Sequence, residues 1–90
     1  MQRVHYAGAI LITGDDIAGG MVDYASALAA RGRCAKVTVP VRLSDGGVSS
    51  ATLLLGPSSQ LVTTPETSPF DELSSPDLLS TWKLDIDAFG

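Results

Sequence analysis

Residues 36–43 alternate without a break: Val37, Val39, Val41 and Leu43 are apolar, and Lys36, Thr38, Pro40 and Arg42 stand between them. Successive strand side chains point to opposite faces, so this segment reads as a strand with one dry and one wet face. Ser44-Asp45-Gly46-Gly47 follows at once, and such a stretch turns tightly because glycine takes positive φ at no steric cost. The spacing predicts one strand over 34–43 and a returning strand over 48–55. Pro40 cannot donate to a ladder, which places its strand at an edge or a bulge. Leu53-Leu54-Leu55 gives the returning strand the more central position. The apolar face of this hairpin must be covered, and the rest of the chain has to supply the cover.

The segment before it offers a strand and a helix. Residues 4–13 end in the apolar run Ala9 to Ile12, and the short run with β-branched isoleucines predicts one strand buried on both faces. Thr13, Asp15 and Asp16 then form a helix start, since short polar side chains accept from free N–H groups and carboxylates suit the positive helix end. From Asp16 to Arg31, Ile17, Met21, Tyr24 and Leu28 fall on one helical stripe. Ala18, Val22, Ala25 and Ala29 repeat that spacing one position on. So broad an arc implies two covering surfaces, the helix's own sheet and a second body. Gly32 suits the residue after the helix end, flanked by Arg31 and Arg33. Gly19 and Gly20 weaken the helix by up to ~1 kcal/mol each relative to alanine. They permit a close backbone approach, or the helix begins only after them.

After the returning strand, Gly56-Pro57-Ser58-Ser59 reads as a second turn and Gln60 to Thr64 as the third strand of a meander. From Pro65 the composition changes. Four of the five prolines lie at 57, 65, 69 and 76, among many Ser and Thr. Ser75-Pro76-Asp77 has the form of a helix start, with Leu78, Leu79 and Trp82 at helical spacing behind it. Three of the five aromatic residues, Phe70, Trp82 and Phe89, lie in this last segment beside Leu73, Leu78, Leu79, Leu84 and Ile86. An acidic tail that merely solvates would lack them. Each is worth ~1.5–3 kcal/mol when buried, so the segment is expected to lie against protein.

Bulk properties narrow the functions. Ninety residues allow one core, and a chain this short buries only roughly 60% of its unfolded surface. Cys34 is the only cysteine and His5 the only histidine, so neither an intramolecular disulfide nor a zinc site is expected. A lone cysteine suits a reducing cytoplasm. No basic stretch leads into an apolar one at the N-terminus, and no apolar run approaches the ~20 residues that cross a bilayer. The net charge is −4. Residues 1–57 carry five basic and four acidic groups, whereas residues 58–90 carry only Lys83 against Glu66, Asp71, Glu72, Asp77, Asp85 and Asp87. An acidic chain with dispersed arginines is a poor match to a phosphate backbone.

One stretch has a familiar outline. Ile10-Leu11-Ile12-Thr13-Gly14, then Gly19-Gly20, a helix ending in Leu28-Ala29-Ala30-Arg31-Gly32, and Lys36-Val37-Thr38-Val39 resemble the first βαβ unit of a short-chain dehydrogenase. The resemblance implies a nucleotide site, and the residues oppose it. Asp15 and Asp16 stand where backbone N–H groups would receive a pyrophosphate. The glycine spacing differs from the dinucleotide fingerprint. Pro40-Val41-Arg42 ends the second strand where an acidic ribose ligand belongs, and the chain is too short for a doubly wound sheet. Other chemistry is sparse. Asp15-Asp16, with Asp23, offers oxygen ligands to a hard cation, but capping and solvation explain the same residues. Asp85 and Asp87 are read as a solvated pair. Arg33 and Lys36 flank Cys34, yet a cysteine at a strand start is expected to pack. Ser58-Ser59 has no nucleophile-elbow context.

The expected architecture is α+β. Residues 1–64 form a core ordered β-α-β-β-β, with one helix on a mainly antiparallel sheet. Residues 65–90 form a Pro/Ser-rich acidic segment ending in a short helix or extended arm, docked on the core or on a partner. The expected function is that of a non-catalytic interaction or regulatory module without cofactor or metal. It binds a second copy as a homodimer, or another protein, and neither nucleic acid nor membrane. Met21, Tyr24, Phe70, Leu78, Leu79, Trp82 and Phe89 are the candidate contacts. One alternative is a small enzyme or ligand-binding protein using His5 and Cys34, or Asp15 and Asp16. Another is an acidic inhibitor or immunity-type protein that occupies a basic partner surface.

Overall fold

The computed structural model describes residues 1–57 and 60–89. The element order is β1 (Gln2–Tyr6), β2 (Ala9–Thr13), α1 (Asp15–Ala30), β3 (Ala35–Arg42), β4 (Val48–Leu55), β5 (Leu61–Pro65) and α2 (Pro76–Phe89). Every strand pairing is antiparallel, and the class is α+β. The strands form a three-stranded sheet ordered β2-β1-β5 and a two-stranded sheet, β3-β4.

Three details differ from the sequence reading. Residues 4–13 are not one strand but the end of β1, a turn, and β2. Ala7 and Gly8 both have positive φ, 49° and 83°, as a type I′ two-residue hairpin loop requires, and Tyr6 pairs with Ala9 across it. Ala7 hides this turn, because alanine is disfavoured in the left-handed region. β5 does not extend the β3-β4 hairpin as a meander. It pairs with β1, from Gln2↔Pro65 to Tyr6↔Leu61, and so makes β1 the central strand with Val4 buried. β4 is not central: among the described residues it has one ladder partner, β3. Of its leucine run only Leu55 is fully buried, and Leu54 faces solvent. The Gly56-Pro57-Ser58-Ser59 turn falls partly outside the described residues, as do Ser58 and Ser59 themselves.

The two sheets meet where β2 runs beside β3. Thr13, fully buried, donates its hydroxyl to the Pro40 carbonyl at 2.7 Å. Thr13 therefore does not cap α1. Gly14 occupies the cap position without a side-chain bond, and Asp15 and Asp16 fill the first turn. The dehydrogenase-like outline dissolves here as well, since β2 and β3 belong to different sheets. At the far end, Gly32 (φ 63°) donates to Ala29 and Arg33 to Leu28. These two bonds close the helix with a left-handed glycine.

The stripe on α1 is buried as its spacing predicts: Ile17, Ala18, Met21, Tyr24 and Leu28 join Val4, Val37, Val39, Val41 and Leu55 in one core. The second body covering α1 is α2. Trp82 is buried between them, its ring 5.7 Å from that of Tyr24, and Tyr24 is stacked in turn on Phe89 at 6.4 Å. The helices come close because Gly20 has no side chain. A Cβ there would lie 2.6 Å from Leu79 Cδ2 and 3.1 Å from Trp82 Cε3, whereas a Cβ on Gly19 would meet nothing. Gly14 is a tighter notch, where a Cβ would fall 1.9 Å from the Leu73 carbonyl oxygen.

Two stability outcomes follow. Gly19→Ala should stabilise the fold by up to ~1 kcal/mol through helix propensity, while Gly20→Ala, with the same propensity gain, should destabilise it because overpacking costs ~1–3 kcal/mol. Urea unfolding of the two variants measures the opposite signs. Ala7→Asn should raise the unfolding midpoint by relieving part of the ~1–2 kcal/mol that alanine incurs in the left-handed region. A lowered midpoint would count against the hairpin.

Candidate functional site: an apolar groove at Phe70

The candidate contacts separate once the chain is folded. Met21, Tyr24 and Trp82 lie in the core, and Leu78, Leu79 and Phe89 are half-buried against it. Phe70 is the exposed member. It rests on Gly46, at the turn of the β3-β4 hairpin, with the Arg42 guanidinium 5.8 Å from its ring centroid.

Beside Phe70 opens a groove of about 470 Å³. β2 contributes Ile10, Leu11 and Ile12, the end of β3 and its turn contribute Val41 through Ser44, and residues 66–70 form the remaining wall. Ile10, Leu43 and Phe70 on its walls are 57%, 46% and 38% exposed. Contiguous exposed apolar surface around a concavity is the usual mark of a binding surface. The sequence reading missed Ile10 and Leu43 because their alternation and apolar context placed both inside the core. Leu43 falls one residue beyond β3, where the wall it would have packed on has ended.

Arg42 lines the groove, and Arg3 holds Glu66 of its wall from behind. Arg42 donates through its terminal nitrogens to the carbonyls of Gly46 (2.8 Å) and Asp71 (2.7 Å), fixing the 66–71 segment to the hairpin turn. Arg3, opposite Ile12 in the β1-β2 register, binds Glu66 at 2.9 Å. The Nε of each arginine is buried with no partner among the described residues. A buried unpaired donor costs ~1–3 kcal/mol, which a polar group bound nearby would offset.

The alternative chemical sets are dispersed. His5 lies on β1, with Ile10 and Val62 as its cross-strand partners, whereas Cys34 is exposed in the α1–β3 connection near Gly56. Neither lines the groove or the smaller cleft beside Gly20. Asp15 is engaged internally: its carboxylate takes the N-terminal ammonium at 3.0 Å and the Gln2 amide at 3.3 Å. The hydrogen bond from the ammonium, with that from Gln2, holds the Asp15 carboxyl below its usual range, and the bond to Asp15 raises the ammonium. Asp16 is exposed on the first turn. Among the described residues, no three metal-capable side chains cluster and no helix is long and apolar enough to cross a membrane. Comparison with known proteins matches this chain to no family model, no curated protein and no solved structure.

The α1-α2 contact also carries a titration signature. Tyr24 donates its hydroxyl to Asp85 at 2.8 Å. Burial, then the bond and charge of Asp85, push the Tyr24 phenol up to about 12. The folded state thus keeps a proton that the unfolded chain releases near pH 10.0. Stability from this group is intact below that pH and declines as pH rises toward 12. Absorbance titration should show one tyrosine ionising near 12. Asp85→Asn should lower that midpoint while leaving it above the ordinary value, because burial is the larger cause. An unchanged midpoint in the variant would contradict the contact.

Proposed function

We propose that this chain is a non-catalytic protein–protein interaction module that self-associates and presents the Phe70 groove to a segment of another protein. One observation carries the reading. Of the eight large apolar residues left exposed among those described, Ile10, Leu43 and Phe70 converge on a single groove, while the other tail aromatics are already packed against the core. The groove is suited to a segment with two or three aliphatic or aromatic anchors and a polar atom that approaches Arg42. Anchors that fill desolvated pockets dominate such interfaces. An acidic surface with dispersed arginines speaks against nucleic acid as the ligand. An exposed, unpaired Cys34 is at home in a reducing compartment, which supports a cytoplasmic setting.

Affinity capture from native extract, comparing the wild-type chain with Phe70→Ala and with Ile10→Ser/Leu43→Ser, tests the groove. A groove-bound partner should lose about tenfold or more in affinity in each variant, since a central anchor is worth at least ~2 kcal/mol. Far-UV circular dichroism of both variants should match wild type because all three side chains are exposed. Retention of the same partner at unchanged affinity would overturn the groove.

A further inference from the structure

We propose that two copies of this chain pair through β4, antiparallel about a two-fold axis at Ala51, so that two hairpins join into one four-stranded sheet. This deepens, and rests on, the self-association part of the proposed function.

The open edge is specific. β3 has its second edge beside β2, where Thr13 reaches the Pro40 carbonyl, whereas β4 has no strand on its outer side among the described residues. Edge strands are ordinarily blunted by charge, proline, bulges or shortness. Val48–Leu55 has none of these: it is eight residues long, uncharged and free of proline, and its register with β3 runs unbroken from Arg42↔Val48 to Ala35↔Leu55. Such an edge is a template for another strand.

The pattern of side chains selects a second copy as that strand. With Ala51 opposite itself, Val48 of one copy faces Leu54 of the other, and Ser50 faces Thr52. All four lie on the same, outer face of the hairpin, opposite Arg42, Lys36, Pro40 and Thr38 of β3. Val48 and Leu54 are 56% and 61% exposed in the single chain. Apolar then meets apolar and hydroxyl meets hydroxyl, the cross-strand pairs that stabilise ladders. Moving the axis to Ser50 sets Val48 against Thr52, and moving it to Thr52 sets Leu54 against Ser50. The Ala51 register alone makes both matches. The absence of charge on β4 lets two acidic chains meet there without opposing like groups. The Tyr6 hydroxyl already donates to the Leu54 carbonyl. The shared backbone ladder therefore runs over residues 49–53 of each copy, and the two Val48–Leu54 pairs meet at its ends through side chains alone.

Sedimentation of the full chain over a range of concentrations tests the seam, with dimer expected for wild type. Ser50→Lys/Thr52→Lys sets two pairs of lysines opposite each other and should raise the dimer Kd about tenfold, because like charges directly opposite destabilise a cross-strand pair. Ser50→Lys/Thr52→Glu sets lysine opposite glutamate in both pairs and should restore association. Both variants lose the same Thr38–Thr52 hydroxyl contact, and equal urea midpoints for the two under monomeric conditions assign their difference in Kd to the seam rather than to the fold. A monomeric wild type, equal weakening in the two variants, or an edge occupied instead by a strand of a different protein would overturn the proposal. None of those results touches the Phe70 groove, whose test leaves β4 intact.

Discussion

The fold depends on how closely the C-terminal segment approaches the rest of the chain. Gly14 admits the Leu73 backbone, and Gly20 admits Leu79 and Trp82. At Gly14 the neighbouring atom is a carbonyl oxygen that cannot rotate away, so any side chain there displaces backbone. At Gly20 the neighbours belong to a buried indole and a leucine tip. Close packing of this kind gives dispersion contacts that fall off steeply with a gap of even half an ångström or so. A helix interior tolerates glycine poorly in isolation, yet here its presence lets two helices meet around Tyr24, Trp82 and Phe89. Polar ties hold the same approach from several sides: Tyr24 to Asp85, Arg42 to the Asp71 carbonyl, and the N-terminal ammonium to Glu72.

With α1 covered by α2, neither sheet is left alone with solvent on both faces. The three-stranded sheet contributes Val4, the hairpin contributes Val37, Val39, Val41 and Leu55, and all reach one core. The two sheets are joined beside Pro40 by the Thr13 hydroxyl, at a residue that has no N–H to give. Pro40 withholds one ladder donor at this place, and its carbonyl accepts a side-chain hydroxyl instead. Among the described residues, β4 is left with β3 as its one ladder partner. The two proposed contact surfaces are what that geometry leaves: a strand edge on β4, and a groove where the β3-β4 turn, β2 and residues 66–70 meet without filling the space between them.

The surplus of apolar side chains is resolved differently from what their positions along the chain suggest. The aromatic tail is mostly internal, because two of its three rings stack on Tyr24 or lie beside it. Five of the eight exposed large apolar residues lie instead in strands or their turns: Ile10, Leu43, Val48, Leu54 and Val62. Each belongs to a local pattern that reads as core. Their exposure follows from where sheets end, a property that no single strand encodes.

Elements with strong local physics are legible in the amino-acid order alone. The period-two run of 37–43 and its Ser44–Gly47 turn formed the hairpin, the stripe Ile17-Met21-Tyr24-Leu28 formed the buried face of α1, and Pro76 opened α2. Those signals depend on neighbours within a turn or two, so one chain suffices to read them. The Ala7-Gly8 turn escaped because its alanine adopts a conformation that alanine disfavours, and only pairing on both sides of β1 holds it there. Strand partnership, the role of Gly14 and Gly20, and the groove at Phe70 were decided by tertiary structure. An alternating strand carries the same pattern whichever neighbour it takes, and a missing side chain has meaning only when the surface that fills its place is known.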